Sequence, residues 1–242
     1  MVRKGFTRSR NKAAALIMAG EVKVEGMIID KPGKRVPVSA AVSLTPRHPG
    51  FVSRGGVKLA AALHHFSIPV QGRTFMDVGS STGGFTDCLL RHGARRVFGI
   101  DVGYGQVAMA LRRDPRVTLF ERRNFRHFDP GLLDEAPTLA VVDVSFISLT
   151  LILPKLKDCL DQGGLGLVMV KPQFELYKAL IGKGGVVRDD SLREEAVSRV
   201  TAKAMELGFE IRGRADSRLP GPKGNREVFL KLALQVRQKG PF

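Results

Sequence analysis

The sequence has no tryptophan, and its 242 residues include only two tyrosines and two cysteines. Cys88 and Cys159 lie 71 positions apart, and no Cys-x-x-Cys or Cys/His cluster accompanies them. This spacing argues against a zinc site and against a disulfide framework, and it fits a reducing compartment. We therefore predict a cytoplasmic protein.

Long hydrophobic runs are also absent. No segment approaches the roughly 18 apolar residues of a membrane span, and the best candidate, 139–154, is interrupted by Asp143. The basic N-terminus, MVRKGFTRSRNK, lacks the apolar core that follows in a signal peptide. The sequence therefore supports neither a transmembrane helix nor secretion by that route.

Acidic residues are few: 23 aspartates and glutamates stand against 39 lysines and arginines, which gives a formal net charge of +16. Residues 1–50 hold ten of the basic residues and three of the acidic ones, a net charge of +7. Such a charge indicates a polyanion or an anionic membrane surface as a partner. A basic protein whose charges only solvate its surface is the alternative.

We predict a small basic domain at 1–44, a breaker-rich linker at 45–50 and a larger domain at 51–242. In the larger domain, strand patterns alternate with helical patterns, which predicts an α/β fold with a mostly parallel sheet covered on both faces. The predicted strands are 74–78, 96–100, 117–120, 139–142, 166–170, 210–215 and 226–233, the last two forming an antiparallel hairpin at the sheet edge. The predicted helices are 55–66, 84–92, 105–112, 149–161 and 189–207.

A glycine-rich loop between the first strand and the next helix is the strongest local signal. Glycines allow a tight turn and let a ligand approach the helix N–H groups. The spacing is Gly-x-x-x-Gly-Gly with no following Lys-Ser/Thr, so it matches neither the dinucleotide fingerprint nor the phosphate loop. A purely structural turn is the alternative. The candidate cofactor residues here are Asp77, Gly79, Ser80, Ser81, Thr82, Gly83 and Gly84.

Two carboxylates indicate the class of cofactor. Asp77 precedes the loop and suits a ligand with an ammonium group, and Asp101 ends the next strand, 24 residues later. A carboxylate at that strand end can accept both ribose hydroxyls of a nucleoside, although it could also be merely solvated. Together they indicate an adenosine-type cofactor that carries an amino-acid end and no pyrophosphate. S-adenosylmethionine fits this description.

Charged residues also border later strands. Asp143 follows the fourth strand, Lys171 follows the fifth, and Glu227 opens the last one. In open α/β sheets, ligands bind outside the carboxyl ends of the strands. We therefore expect Asp143 and Lys171 to face the reaction centre. Taken alone, Lys171 could be a solvated strand end and Glu227 a surface carboxylate.

Longer motifs are distributed over nearly the whole chain: SRNKAAALIMAGEVKVEG, FVSRGGVKLAAAL, DVGSSTGGFTDCLL, GIDVGYGQ, VVDVSFISL, VKPQFE, GKGGVVRD and GPKGNREVFL. They resemble those of the TlyA (hemolysin A) family of ribosomal-RNA 2′-O-methyltransferases. The first domain is similar to a small RNA-binding domain of a ribosomal protein and of pseudouridine synthases, and the second resembles FtsJ-like methyltransferases. Family members usually begin with one more helix, so we expect this helix to be missing, through truncation or a late start codon.

This resemblance implies a Rossmann-like class I S-adenosylmethionine-dependent methyltransferase with a mostly parallel seven-stranded sheet and an α+β RNA-binding domain. It places cofactor contacts on the Gly79–Gly84 loop and Asp101, with Asn124 near the adenine. The family's catalytic tetrad falls on Lys58, Asp143, Lys171 and Glu227. The residues expected to bind ribosomal RNA or ribosomal subunits are Arg3, Lys4, Arg8, Arg10, Lys12 and Lys23.

We therefore expect 2′-O-methylation of ribose in ribosomal RNA, with Lys171 activating the hydroxyl. To act as a base, Lys171 must be a neutral amine, which partial burial and a like charge such as Lys58 would favour. Asp143 and Glu227 would orient the two lysines. We expect this methyl transfer to require no metal. The alternatives are a non-catalytic RNA-binding or ribosome-assembly factor, a membrane-acting cytolysin and a small-molecule methyltransferase. The sequence does not identify the target nucleotide or the ribosomal subunit, nor whether the substrate is free RNA or an assembled particle. It implies no obligate protein partner.

Overall fold

The computed structural model describes residues 1–7, 9–18, 22–29, 31–44, 50–182, 184–221 and 223–235. The chain divides into two compact units, Met1–Gly50 and Phe51–Phe242. Of the predicted linker, 45–50, only Gly50 belongs to the described residues.

The N-terminal unit combines one helix with a three-stranded antiparallel sheet. Helix α1 spans Arg10–Met18, and strand β1 (Val22–Val24) lies between β2 (Met27–Ile28) and β3 (Val42–Leu44). The alternation in β1 buries its two valines, and a small core forms around Val24.

The larger unit is built on a seven-stranded sheet. The strands are β4 (Thr74–Val78), β5 (Arg96–Ile100), β6 (Val117–Phe120), β7 (Leu139–Val142), β8 (Leu165–Val170), β9 (Phe209–Asp216) and β10 (Val228–Leu234). Their order in the sheet is β6-β5-β4-β7-β8-β10-β9. The first five strands are parallel, and β10 is antiparallel to both of its neighbours, which confirms the predicted hairpin at the edge.

Two of the helices that connect these strands begin four residues later than predicted. The segment 149–161 forms a 3₁₀ turn at Leu149–Leu151 before its α-helix, because Pro154 has no N–H to donate and suits the first turn of a new helix. The predicted helix 105–112 begins only at Met109. The helices are α2 (Arg54–His65), α3 (Gly84–Arg91), α4 (Met109–Arg112), α5 (Leu153–Cys159), α6 (Pro172–Glu175) and α7 (Asp190–Glu206).

Helices cover both faces of the sheet, so every residue of β4 is buried. Side chains alternate along a strand. Met76 therefore packs with residues of α5 and α7 on one face, while Phe75 packs with residues of α2 and α3 on the other. The helices cover the two faces of the sheet and leave the ends of its strands accessible.

Candidate active site

The carboxyl ends of β4, β5, β7 and β8 meet at one edge of the sheet, where β10 begins. Because β10 runs antiparallel to β8, Val228 pairs with Val170. Glu227 directly precedes Val228, and Lys171 directly follows Val170. The pairing of the two strands therefore brings Glu227 and Lys171 close together. Asp143 lies beside them, and its backbone N–H donates to the Val78 carbonyl at 2.9 Å.

The glycine-rich loop is held tightly between two strand ends. The N–H of Gly79 donates to the Ile100 carbonyl at 2.8 Å, and Gly79 has a φ of +85°. A Cβ at Gly79 would lie 2.7 Å from the carbonyl oxygen of Asp143, so only glycine fits there. Gly83, with a φ of +93°, precedes the first residue of α3 and turns the chain into the helix.

A hollow of about 410 Å³ opens beside this loop. The Asp101 carboxylate accepts the N–H groups of Ser81 at 2.8 Å and Gly103 at 2.6 Å, and it retains lone pairs for a ligand. The side-chain oxygen of Asn124 accepts the N–H of Arg126 at 3.1 Å. A largely apolar hollow with a carboxylate in its wall fits an adenosine. The glycine-rich loop, which has no side chain at Gly79, allows a ligand to approach its backbone closely. The lining includes Val78, Gly79, Ser81, Ile100, Asp101, Asn124, Phe125 and Ile152.

Asp77 lies beneath the loop and does not line this hollow. The alternation of β4 directs its side chain towards α3, where one oxygen accepts the hydroxyl of Thr86 at 2.6 Å. The other oxygen is buried without a hydrogen-bond partner in the described part of the chain. Burial, with a smaller contribution from the negative charges of Asp143 and Asp101, raises the pKa of Asp77 to about 7. The structure thus places the Asp77 carboxylate against the first turn of α3, and its contact with a ligand ammonium group stays a prediction.

All four residues of the implied tetrad line a second hollow, of about 280 Å³. Lys58 on α2 and Glu227 form an ion pair in which both residues are almost completely buried. Nζ of Lys171 lies 2.5 Å from Oδ1 of Asp143. Each lysine therefore has its own carboxylate, and the charge of Lys58, which we expected to act on Lys171, is offset by Glu227.

The two hollows adjoin each other. Gly79, Ser81, Asp143 and Ser145 line both of them, while Ser80, Thr82 and Gly84 line only the second. Ser145 is a site residue that the sequence analysis missed: its hydroxyl oxygen accepts a hydrogen bond from Nζ of Lys171 at 2.8 Å. Its position two residues after Asp143 was the available signal.

A third hollow, of about 340 Å³, adjoins the second through Ser145, Lys171 and Glu227. Phe146 and Phe174 line it, with ring centroids 5.1 Å apart. Phe146 is 91% exposed and has a φ of +63°, which is unusual for a residue with a side chain. The sequence pattern did not distinguish this aromatic pair from core residues.

In the N-terminal unit, three of the six predicted RNA-binding residues, Arg3, Lys4 and Arg10, are exposed. The Lys4 amine donates to the carbonyl of Ala40 at 2.6 Å, and Lys23 on β1 is half-buried. Arg8 lies outside the described residues, as does the side chain of Lys12.

Comparisons with known proteins agree with this geometry. Residues 51–234 match the FtsJ-like methyltransferase family, and residues 1–42 match the S4 domain. The chain is 46% identical over 237 residues to the Mycobacterium tuberculosis protein named 16S/23S rRNA (cytidine-2′-O)-methyltransferase TlyA, covering 98% of this chain and 88% of that protein. The chain belongs to the TlyA family.

Two further proteins are similar to this chain over most of its length. Hemolysin A of Brachyspira hyodysenteriae is 39% identical over 225 residues, which cover 93% of each chain. A solved structure from Streptococcus thermophilus superposes with a TM-score of 0.79 at 40% identity, covering 96% of this chain and 86% of that one.

Membership of the TlyA family confirms the predicted α/β methyltransferase fold and an S4-type N-terminal unit. It also confirms an enzyme that uses S-adenosylmethionine as its cofactor. In the described ranges, no helix is long and apolar enough to cross a membrane. Nor do these ranges contain a group of three or more His, Cys, Asp or Glu residues that could hold a metal ion.

Proposed function

We propose that this enzyme methylates a ribose 2′-hydroxyl of ribosomal RNA and that Lys171 is its general base. The observation that carries this proposal is the position of Lys171, which contacts both Asp143 and Ser145 in the hollow next to the cofactor hollow. The printed name of the Mycobacterium tuberculosis relative supports the same substrate class.

S-adenosylmethionine, when bound, supplies the methyl group from a positively charged sulfur, and Asp101, Ser81 and Asn124 are the residues that would hold it. Lys171 removes the proton of the hydroxyl: the O–H bond breaks, its electron pair stays on oxygen, and the proton goes to the amine nitrogen. This role requires a neutral amine at the moment of proton transfer. Asp143 then stabilises the ammonium that forms.

Lys58 and Glu227 line the same hollow as Lys171, and within the described part of the chain neither forms an ion pair or a hydrogen bond with it. Their ion pair fixes α2 against the start of β10, so it shapes the wall against which the substrate is placed.

The third hollow accommodates the target nucleotide in this proposal. It reaches the tetrad through Lys171 and Glu227, and the exposed ring of Phe146 offers a stacking surface for a base. The N-terminal unit holds phosphates through exposed side chains such as Arg3 and Arg10. Ribosomal RNA as the substrate implies an enzyme of the cytoplasm.

The test is the transfer of labelled methyl from S-adenosylmethionine to purified small subunits, large subunits and free ribosomal RNA. We expect label at a nucleotide that becomes resistant to alkaline cleavage. Lys171→Ala should bind the cofactor, as measured by calorimetry, and transfer no methyl. Lys203→Ala, which removes a surface lysine paired with Glu206 on α7, is the matched control.

Turnover by Lys171→Ala would contradict the role of the base. Cofactor binding by the wild-type protein without transfer to any of the three substrates would favour the non-catalytic ribosome-assembly factor.

A further inference from the structure

Glu175, the last residue of α6, is a buried carboxylate to which the proposed mechanism gives no role. It is 3% exposed. Oε1 accepts the backbone N–H of Leu149 at 2.8 Å, and Oε2 accepts the hydroxyl of Ser148. Burial raises the pKa of Glu175, and these two hydrogen bonds partly offset that effect. The fold thus keeps an acid at a position where its charge is costly.

The two hydrogen bonds of Glu175 join the segments that leave two neighbouring strands. The segment after β7 carries Asp143, Ser145 and Ser148, and the segment after β8 carries Lys171 and Glu175. The ion pair between Lys171 and Asp143 and the hydrogen bond from Lys171 to Ser145 cross the same gap. Glu175 therefore forms a second connection between the two segments, four residues after the connection that Lys171 forms.

A third element holds the end of α6 in place. The guanidinium of Arg199 on α7 donates to the backbone carbonyl of Glu175 at 3.1 Å and lies over the ring of Tyr177. Arg199 therefore holds the backbone of Glu175 in place, and the carboxylate of Glu175 in turn holds the loop after β7. Both donors come from adjacent residues of that loop, and a carboxylate can accept from both at once, whereas an amide has only one acceptor oxygen.

We propose that Glu175 is a positioning residue for methyl transfer: it ties the loop after β7 to α6 and so sets the distance between Asp143 and Lys171. This inference rests on the proposed function of Lys171. Glu175 lines none of the three hollows described above and has no direct contact with the reaction.

The test compares Glu175→Gln with the wild-type enzyme in single-turnover methyl transfer at saturating cofactor and RNA. We expect a rate roughly 10- to 100-fold lower, because displacement of a catalytic group by about 1 Å has an effect of this size. Affinities for S-adenosylmethionine and RNA should not change. Glu135→Gln is the matched control: Glu135 accepts the Thr74 hydroxyl at 3.0 Å at the opposite end of β4, and its loss should leave the rate unchanged.

Ser148→Ala removes one donor and keeps the carboxylate, so it should reduce the rate in the same direction by a smaller factor. In a Ser145→Ala background, Lys171 has already lost one contact across the gap, and we expect the effect of Glu175→Gln to be less than multiplicative. An unchanged rate in Glu175→Gln, or a fully multiplicative loss in the double variant, would overturn the proposal.

Crystal structures of both proteins give a readout that does not depend on the reaction. Glu175→Gln should separate Nζ of Lys171 from Oδ1 of Asp143 beyond hydrogen-bonding distance. An unchanged distance would overturn the positioning role even if the enzyme proved to methylate another acceptor. Loss of activity in wild type, with the distance altered as expected, would instead contradict only the proposed function.

Discussion

Lys58 and Glu227 form a buried ion pair although 169 positions separate them in the sequence. The pair connects α2, the first helix of the methyltransferase unit, to the start of β10, its last strand. Lys171 and Asp143 form a second pair in the same hollow. Two lysines and two carboxylates therefore compensate each other pairwise, and this arrangement has consequences for stability as well as for catalysis.

Removal of one partner of the first pair should be more harmful than removal of both. Glu227→Gln leaves the charge of Lys58 buried without a counter-charge, which typically lowers the free energy of unfolding by about 3 kcal/mol or more. The double variant Lys58→Met/Glu227→Met should recover part of this loss. Urea denaturation measures both.

Glu210→Gln is the control for that experiment, because the pair between Arg212 and Glu210 is exposed on β9. Exposed pairs contribute little, so we expect a change within about 0.5 kcal/mol. A similar effect at Glu210 and Glu227 would contradict the importance of burial.

Gly79→Ala should weaken cofactor binding. Gly79 and Gly72 both have a positive φ, so alanine costs about 1 kcal/mol or more of backbone strain at either position. Only at Gly79 would the new Cβ meet the carbonyl of Asp143, at 2.7 Å, whereas nothing lies within 4 Å at Gly72. We expect calorimetry to show a loss of affinity of about tenfold or more for Gly79→Ala. Equal affinities of Gly79→Ala and Gly72→Ala for the cofactor would contradict the steric requirement for glycine at position 79.

Asp77 should make the protein less stable as the pH rises. The pKa of Asp77 is about 7 in the folded state, against 3.8 for an ordinary Asp, so the folded protein holds this proton more tightly than the unfolded chain. The free energy of unfolding therefore falls between about pH 4 and pH 7, by an amount on the order of 4 kcal/mol from this group.

Asp77→Asn should flatten that slope, because an amide oxygen can still accept the hydroxyl of Thr86 and does not titrate. Urea denaturation at several pH values, with both proteins compared at each, measures the difference. A slope that is the same in both proteins would assign the pH dependence to other groups, among them Glu175, whose pKa is also raised.

Salt should weaken RNA binding by the N-terminal unit. Each phosphate contact releases counterions, so the affinity should fall steeply between about 50 and 200 mM salt. Arg10→Ala should reduce the slope of the logarithmic plot by about 1 if the exposed Arg10 side chain contacts one phosphate. Fluorescence anisotropy with a ribosomal RNA fragment measures the slope, and Lys203→Ala on α7 is the comparison. An unchanged slope in Arg10→Ala would remove this residue from the RNA interface.

Local structure and family membership could both be predicted from the residue patterns of this chain. Strands β4 to β7 begin and end where the apolar patterns predicted, and the glycine loop opens α3, because strand period, helix period and turn chemistry depend on neighbouring residues. The motifs around Lys58, Asp143, Lys171 and Glu227 also identified the family before any distance was known.

Which of these residues come into contact depends on the three-dimensional fold. The insertion of β10 between β8 and β9 brings Glu227 beside Lys171 and opposite Lys58, and strand order is not written in any local pattern. The same holds for the burial of Asp77 beneath its loop and for the bridge made by Glu175. Burial and pairing are set by what packs against a side chain, and those neighbours come from distant parts of the chain.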